Sequence, residues 1–240
     1  MSLKGPKKTV AIMQPTYLPW LGYFGLMQSV DLFILLDSVQ FSRRSWQQRN
    51  QIKTASGPIW LTVPVLSKGN RDKLITEIEI DHSRDFLQSH QKALELNYKK
   101  APHFYAYMPQ LLSVLGADNR NLSDLTIDLI ICLRDALGIQ TPIRRSSEFE
   151  ADGTNAELMA SICEEVGATQ YISPPGSKGY LEKSDAFTNR GIPLHYFNFS
   201  HPEYPQQFGD FVHYMSVIDL LFNCGPASLQ FIEKGYEVLE

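Results

Sequence analysis

Cysteine is scarce in this chain: 240 residues hold three, Cys132, Cys163 and Cys224, and none forms a Cys-x-x-Cys pair. An odd, widely spaced set of thiols in apolar surroundings supports neither a disulfide framework nor a cysteine zinc site. It reads as buried free thiols in a reducing compartment. Long apolar runs are missing too. No stretch approaches the roughly 18 uncharged residues of a membrane span, and the apolar run at 10–13 is broken at once by Gln14 and Pro15. A secretory-type apolar segment is likewise not found at the N-terminus, so the expected location is the cytoplasm. The HExxH, GxxxxGK[ST] and GxSxG motifs are absent, which removes zincin, P-loop and serine-hydrolase readings. His195, His201 and His213 fall at no helical metal spacing, and no metal site is expected. Each reads first as a structural histidine.

Charge of either sign is also modest. The formal net charge is −4, too little positive charge for general nucleic-acid binding, whose affinity scales with the phosphates neutralised. The distribution is uneven. Residues 1–53 carry seven Lys/Arg against two acids, which leaves 15 basic and 24 acidic residues for the remainder. A local basic cluster suffices for one small anionic ligand. Hydrophobic residues at 43% and charged residues at 20% are globular values. At about 100–200 residues per domain, the length means one large domain or two small ones.

The pattern along the chain is α/β. Residues 9–13 read as a buried strand, 22–30 as a helix with Leu21, Phe24 and Met27 on one face, and 31–37 as a second, fully covered strand. Strand, helix and strand within about 30 residues make a βαβ unit. Strands are expected at 59–65 and 74–80 around the turn-forming residues 67–70. Helices are expected at 83–97, 102–115 (with Pro102 in its first turn) and 122–137, the last stopped by Gly138. Then follow a strand at 141–145, a helix at 155–166 stopped by Gly167, strands at 170–173 and 192–197, and a helix at 212–222. The expectation is a single α/β domain over 1–240, with a mainly parallel Rossmann-like (HUP-like) sheet and a helical insertion at 83–137.

Ligands of open parallel sheets sit beyond the carboxyl ends of the strands, which directs attention to three connections. The first, 14–23, contains Gln14, Tyr17, Trp20 and Tyr23, with Gly22 where backbone can approach a ligand closely; the alternative is a proline-stiffened turn whose aromatics only pack. The second, 37–50, carries Asp37, Gln40, Arg43, Arg44, Trp46, Arg49 and Asn50. Arginine forks match phosphate or carboxylate, and amides read a base or sugar hydroxyls. Asp37 is placed there to orient an arginine, bind a metal or act as a base, and the plain alternative is a solvated charged loop. The third, 171–181, sets Ser173, Ser177, Lys178 and Tyr180 around glycines, either as an anion nest or as an ordinary turn. His201 and Asn223 are open cases; the 223–225 segment also reads as a helix C-cap.

Taken together, Val10-Ala-Ile-Met-Gln-Pro-Thr-Tyr-Leu-Pro-Trp-Leu-Gly-Tyr-Phe24, Asp37-Ser-Val-Gln-Phe41, Arg49-Asn50, Ile59-Trp-Leu-Thr-Val-Pro64, Tyr171-Ile-Ser173 and Lys178-Gly-Tyr-Leu181 resemble the WbqC-like protein family. Tyr204-Pro-Gln206 and Ser216-Val-Ile-Asp-Leu-Leu-Phe-Asn-Cys-Gly225 fit the same pattern. Members of that family are associated with bacterial O-antigen and surface-polysaccharide gene clusters. The resemblance implies a transferase acting on a nucleotide-activated or amino sugar, with Asp37 and Lys178 as the catalytic candidates. The expected partner is a small anionic ligand such as a nucleotide sugar. A more distant similarity is to HIGH-type nucleotidylyltransferases and pantothenate synthetases, in the order of the Pro15-Thr16, Gly22 and Ser177-Lys178 segments. Trp20 and Tyr23 stand near where those enzymes carry histidines. Two further readings follow: a nucleotidylyltransferase using Mg2+ without the histidines, and a non-catalytic sugar-nucleotide-binding module.

Overall fold

Apolar, β-branched Thr9–Met13 (β1) and Leu32–Leu35 (β2) pair in parallel, Val10 opposite Leu32 through Met13 opposite Leu35. Between them Leu21–Gln28 (α1) makes the crossover. The structure, a computed structural model, describes residues 7–66 and 72–237. After β2 come Arg49–Thr54 (β3) and Gly57–Thr62 (β4), then the helices Phe86–Tyr98 (α2), Phe104–Leu115 (α3) and Leu122–Leu137 (α4). The chain continues through Ile143–Arg145 (β5), Ala156–Glu165 (α5), Gln170–Ser173 (β6), Lys178–Leu181 (α6), Ala186–Asn189 (α7) and Leu194–Tyr196 (β7). Val217–Cys224 (α8) and Ser228–Glu233 (α9) close it.

Among the described residues five strands form one parallel sheet in the order β5-β2-β1-β6-β7. The chain works outward from β1 through β2 to β5, then returns to β6 and β7 on the other side. This is the 3-2-1-4-5 order of a Rossmann-like α/β fold, and the switch point lies between β1 and β6. Alternation along the strands divides the core into two layers. Ala11, Phe33, Leu35 and Ile172 face one side with α1, α2, α3, α4 and α8 residues, while Val10, Ile12, Leu32, Ile34 and Tyr171 face α5 and α7. Both faces are covered, as the continuous apolar runs of a parallel sheet require.

Several expected elements keep their place and some do not. β1, β6 and α4 have the anticipated bounds, and Gly138 ends α4 with φ 78°, a left-handed cap that favours glycine. The expected strand at 74–80 is not one. It is a tight turn at Ile75–Glu77 flanked by single bridges from Leu74 to Gln40, Glu79 to Asn121 and Ile80 to Val65. Its apolar residues serve three different neighbours, so no ladder can run. The turn at 67–70 falls outside the described residues. The connection expected over 37–50 ends in strand β3, which pairs antiparallel with β4 in a separate two-stranded sheet. α3 begins two residues beyond Pro102. α8 begins at Val217 rather than 212, where the Ser216 hydroxyl accepts from the Ile218 amide.

Candidate functional site

The loops leaving β1, β2 and β6 converge on one cleft at the carboxyl edge of the sheet. Its walls are Ile12, Met13, Gln14 and Thr16 from the first loop, Leu36, Ser45, Trp46 and Gln47 from the second, and Pro174, Gly176, Ser177 and Tyr180 from the third, with Met159 and Tyr171 beneath. Its volume is about 300 Å³. Met13, Thr16 and Trp46 are shared with an adjoining pocket of about 260 Å³, where Trp20, Tyr23, Asn50 and Tyr214 complete an aromatic enclosure. The cleft, mainly apolar with a few convergent polar groups, and the aromatic pocket lie at the switch point, where sheets of this order bind ligands.

The polar wall is preset by amide chemistry. Gln47 Nε2 donates to Gln14 Oε1 across 2.9 Å, and Gln47 Oε1 accepts from the Ser42 amide at 2.8 Å. On the far side the Ser173 and Ser177 hydroxyls share a hydrogen bond of 2.5 Å, and Ser177 Oγ donates to the Pro174 carbonyl. Ser173 itself is wholly buried, so Ser177 is the hydroxyl at the wall. Burial raises the Tyr180 hydroxyl above its ordinary pKa, and it stays protonated as a donor.

The aromatic pocket depends on Gly22. A Cβ there would collide with the Trp20 indole, so the glycine makes room for a tryptophan rather than for a ligand. Trp20 in turn meets Phe199 edge-on at 5.3 Å, Tyr214 at 5.5 Å and His201 in a stack at 6.2 Å. Both His201 nitrogens are engaged: Nε2 accepts from the Tyr214 amide at 3.2 Å and Nδ1 faces the Pro202 carbonyl at 3.0 Å. Burial lowers its pKa, so the ring is a neutral packing element rather than an acid or base.

Other candidates serve the scaffold. Tyr17 is fully buried and its hydroxyl donates to His90 Nδ1 at 2.8 Å. Asn50 is buried too, pinning the first loop through Nδ2 to the Leu18 carbonyl at 2.6 Å while edging the aromatic pocket. Gln40 points away from the cleft, toward Asp72. Asp37 is completely buried behind it. Its Oδ1 accepts from Ser146 Oγ and the Ser147 amide, each at 2.9 Å, and its Oδ2 from Arg145 Nε at 2.7 Å and Ser147 Oγ at 2.9 Å. Burial alone would raise its pKa, but Arg145 and the two serines hold it below the ordinary value. A carboxylate with four donors on two oxygens has no lone pair left for a substrate. Of the three roles weighed for Asp37, the geometry realises the orienting of an arginine, and that arginine comes from β5.

Lys178 is exposed at the start of α6 and, unlike its neighbour Ser177, does not line the cleft; its ammonium pairs with Glu182 at 3.6 Å and lies 5.5 Å from the Tyr196 ring. Arg43 and Arg49 lie in a different cavity, behind Trp46. Arg49 sits over the Trp60 ring at 4.2 Å, and Trp60 packs on Trp46 at 5.3 Å. The segment 43–49 therefore divides its side chains, with Ser45, Trp46 and Gln47 toward the cleft and Arg43, Arg44, Gln48 and Arg49 toward the arginine cavity. Among the described residues no three His, Cys, Asp or Glu side chains gather where they could hold a metal ion. Nor is any described helix long and apolar enough to cross a membrane.

The family model for the WbqC-like protein family matches residues 14–231, a span that includes all the cleft-lining residues except Ile12 and Met13. The chain belongs to the WbqC-like family. The uncharacterized protein Rv1507c of Mycobacterium tuberculosis (strain ATCC 25618 / H37Rv) is 37% identical over 227 residues, covering 94% of this chain and 97% of that one. No solved structure matches. In this WbqC-like chain the sequence pointed to the three loops but missed individual walls. Gln47 was visible in the amide-rich 37–50 segment. Tyr214 carried no signal, because long-range contacts bring it to the pocket, among them the Ser216–Gln51 and Val217–Pro19 backbone bonds. The clamp residues Arg145, Ser146 and Ser147 lie over 100 positions from Asp37.

Proposed function

We propose that this WbqC-like protein is a transferase of bacterial surface-polysaccharide synthesis that takes a nucleotide-activated sugar in the switch-point cleft. The observation that carries the reading is the convergence of three post-strand loops on a mainly apolar cleft, with a few convergent polar groups, joined to an aromatic enclosure. Trp20, Trp46 and Tyr214 offer ring faces for a flat base or a sugar face. Gln14, Gln47, Ser177 and Tyr180 offer donors and acceptors for hydroxyls. Lys178, next to Ser177 in sequence, would swing from its exposed pair with Glu182, weak enough to exchange, to meet a phosphate that extends beyond the cleft. The polysaccharide context comes from the family.

Neither carboxylate nor imidazole lines the cleft or the aromatic pocket among the described residues. Catalysis there would act by holding donor and acceptor in register, with a nucleophile such as a sugar amine that needs no protein base. The same observation favours a second reading, a sugar-nucleotide-binding module without turnover. Calorimetric titration with a panel of nucleoside-diphosphate sugars, run beside a product assay with amino-sugar acceptors, separates the two. Binding with transfer supports the transferase, binding alone the module, and no binding by any donor defeats both.

A further inference from the structure

We propose that the cavity between the β3–β4 hairpin and the start of α2 is a second, anion-binding site for a phosphate monoester or diphosphate group. It encloses about 590 Å³ and is lined by Arg43, Arg44, Arg49 and Arg84 together with Gln48, Thr62 and Ser89. It shares no wall with the switch-point cleft. The proposal stands apart from the nucleotide-sugar reading of that cleft.

Two carboxylates, Asp81 and Asp85, also line the cavity, but each is engaged locally. Asp85 caps α2 by accepting from the Gln88 amide at 2.9 Å. Asp81 accepts from the Ser83 amide and hydroxyl and lies 3.6 Å from Arg84. Arg43, Arg44 and Arg49 make no ion pair among the described residues. Three unpaired guanidinium groups about one concavity repel each other unless an anion joins them. Arg49 is oriented as well as unpaired: its guanidinium is held over Trp60 with Nε sealed from solvent, which leaves the terminal Nη pair to meet an anion in the cavity. A stacked, oriented fork is the arrangement that binds phosphate oxygens in pairs.

The loop that presents these arginines is held by buried side chains. Arg44 has φ 56°, a left-handed conformation costly for a side chain of its kind. Its amide donates to Gln48 Oε1 at 3.0 Å, and Gln48 Nε2 donates to the Val63 carbonyl at 3.2 Å. Gln47 accepts the Ser42 amide on the other side, and both glutamines are buried. Strain retained by such supports is a mark of a functional position. The N-terminus of α2 borders the cavity but already has its cap, so the arginines carry the site.

The probe is inorganic pyrophosphate, titrated calorimetrically into the full chain at low and at physiological salt, with sulfate at matched ionic strength as reference. Expected is one-to-one binding that weakens with salt and exceeds that of sulfate. Arg49→Lys keeps the charge but loses the fork and the stack, and should bind at least tenfold more weakly. Arg43→Gln and Arg84→Gln, both at exposed positions, should each weaken binding and cover the case in which Arg49→Lys fails to fold. Arg144→Gln, on β5 and outside the cavity, should leave it unchanged. Pyrophosphate bound no better than sulfate, or bound equally by wild type and the cavity variants, overturns the proposal. A competition arm with UDP-glucose identifies the source of the phosphate. Mutual exclusion assigns the site to the donor's own diphosphate, and simultaneous binding to a separate phosphorylated substrate. Pyrophosphate binding without any nucleotide-sugar binding would leave this site standing and the cleft reading fallen.

Discussion

Arg145 Nε donates to Oδ2 of Asp37 across 2.7 Å, fastening the end of β5 to the turn that follows β2. Asp37 is inaccessible to solvent and Arg145 about one-third exposed, so the pair is buried on one side only. Arg145 also reaches Asp124 on α4 at 3.3 Å, which ties α4 to the sheet edge. Asp37→Ala would strand Arg145 and both serines beneath the second loop. The expected cost is about 2–4 kcal/mol, somewhat less than a fully buried pair because Arg145 can rehydrate. Urea denaturation measures it. A variant as stable as wild type but unable to act on a substrate would return Asp37 to the catalytic role.

The Tyr17–His90 contact sets an acid limit on stability. Burial lowers the His90 pKa to about 4, against a Thr62 backbone hydrogen bond that raises it. The folded protein therefore keeps His90 neutral where the unfolded chain, with a pKa of about 6.5, takes up a proton. The unfolded state binds more protons between those values, so stability is full above about pH 6.5 and falls as pH drops toward 4. The loss is at most about 3.4 kcal/mol, from about 2.5 pH units at 1.36 kcal/mol each. Denaturation midpoints across that range, compared with those of His90→Gln, isolate it. Equal slopes in the two proteins would rule His90 out as the source.

How far the sequence reached follows from the kind of signal each region carried. β1, β2 and β6 were legible because buried parallel strands need continuous apolar runs, and once three such strands are parallel their following loops must share an edge. That argument located Gln14, Trp46, Ser177 and Tyr180 on one cleft. β3 was not legible: Arg-Asn-Gln-Ile-Lys-Thr is a polar hairpin strand whose one ladder neighbour among the described residues is β4. The basic character of 43–49 was plain, but which arginine faces which cavity depends on the left-handed turn at Arg44. Asp37 was misleading for a physical reason. An acid at the end of a strand looks the same in sequence whether it faces a ligand or a distant arginine.

The packing of Trp20 over Gly22 predicts a loss of binding without a loss of fold. Gly22→Ala adds a Cβ where the indole lies, and the ring must move because the backbone of α1 is fixed by its buried face. Overpacking of this kind costs about 1–3 kcal/mol. The displaced ring would also open the aromatic pocket, so nucleotide-sugar affinity should fall about tenfold or more while the fold is retained. Tryptophan fluorescence follows the ring and calorimetry follows the ligand. Unchanged emission and unchanged affinity would show that the pocket does not depend on this contact.

Lys178 tests whether a ligand in the cleft extends past Ser177 to α6. Its side chain is 58% exposed, its partner Glu182 53% exposed, and its ammonium lies 5.5 Å from the Tyr196 ring centroid. Exposed pairs of this kind contribute little, so Lys178→Ala should shift stability by less than about 0.5 kcal/mol. If the cation meets the phosphate of a bound nucleotide sugar, the same change should weaken binding by about tenfold, and the salt dependence of the remaining affinity should be shallower. Lys178→Arg keeps the charge and should recover most of the binding, because an exposed point charge makes few demands on geometry. Titrations of the three proteins at two salt concentrations read all of this. Equal affinity in wild type and Lys178→Ala would remove the lysine from the site and leave the amide and aromatic walls to hold the ligand without it.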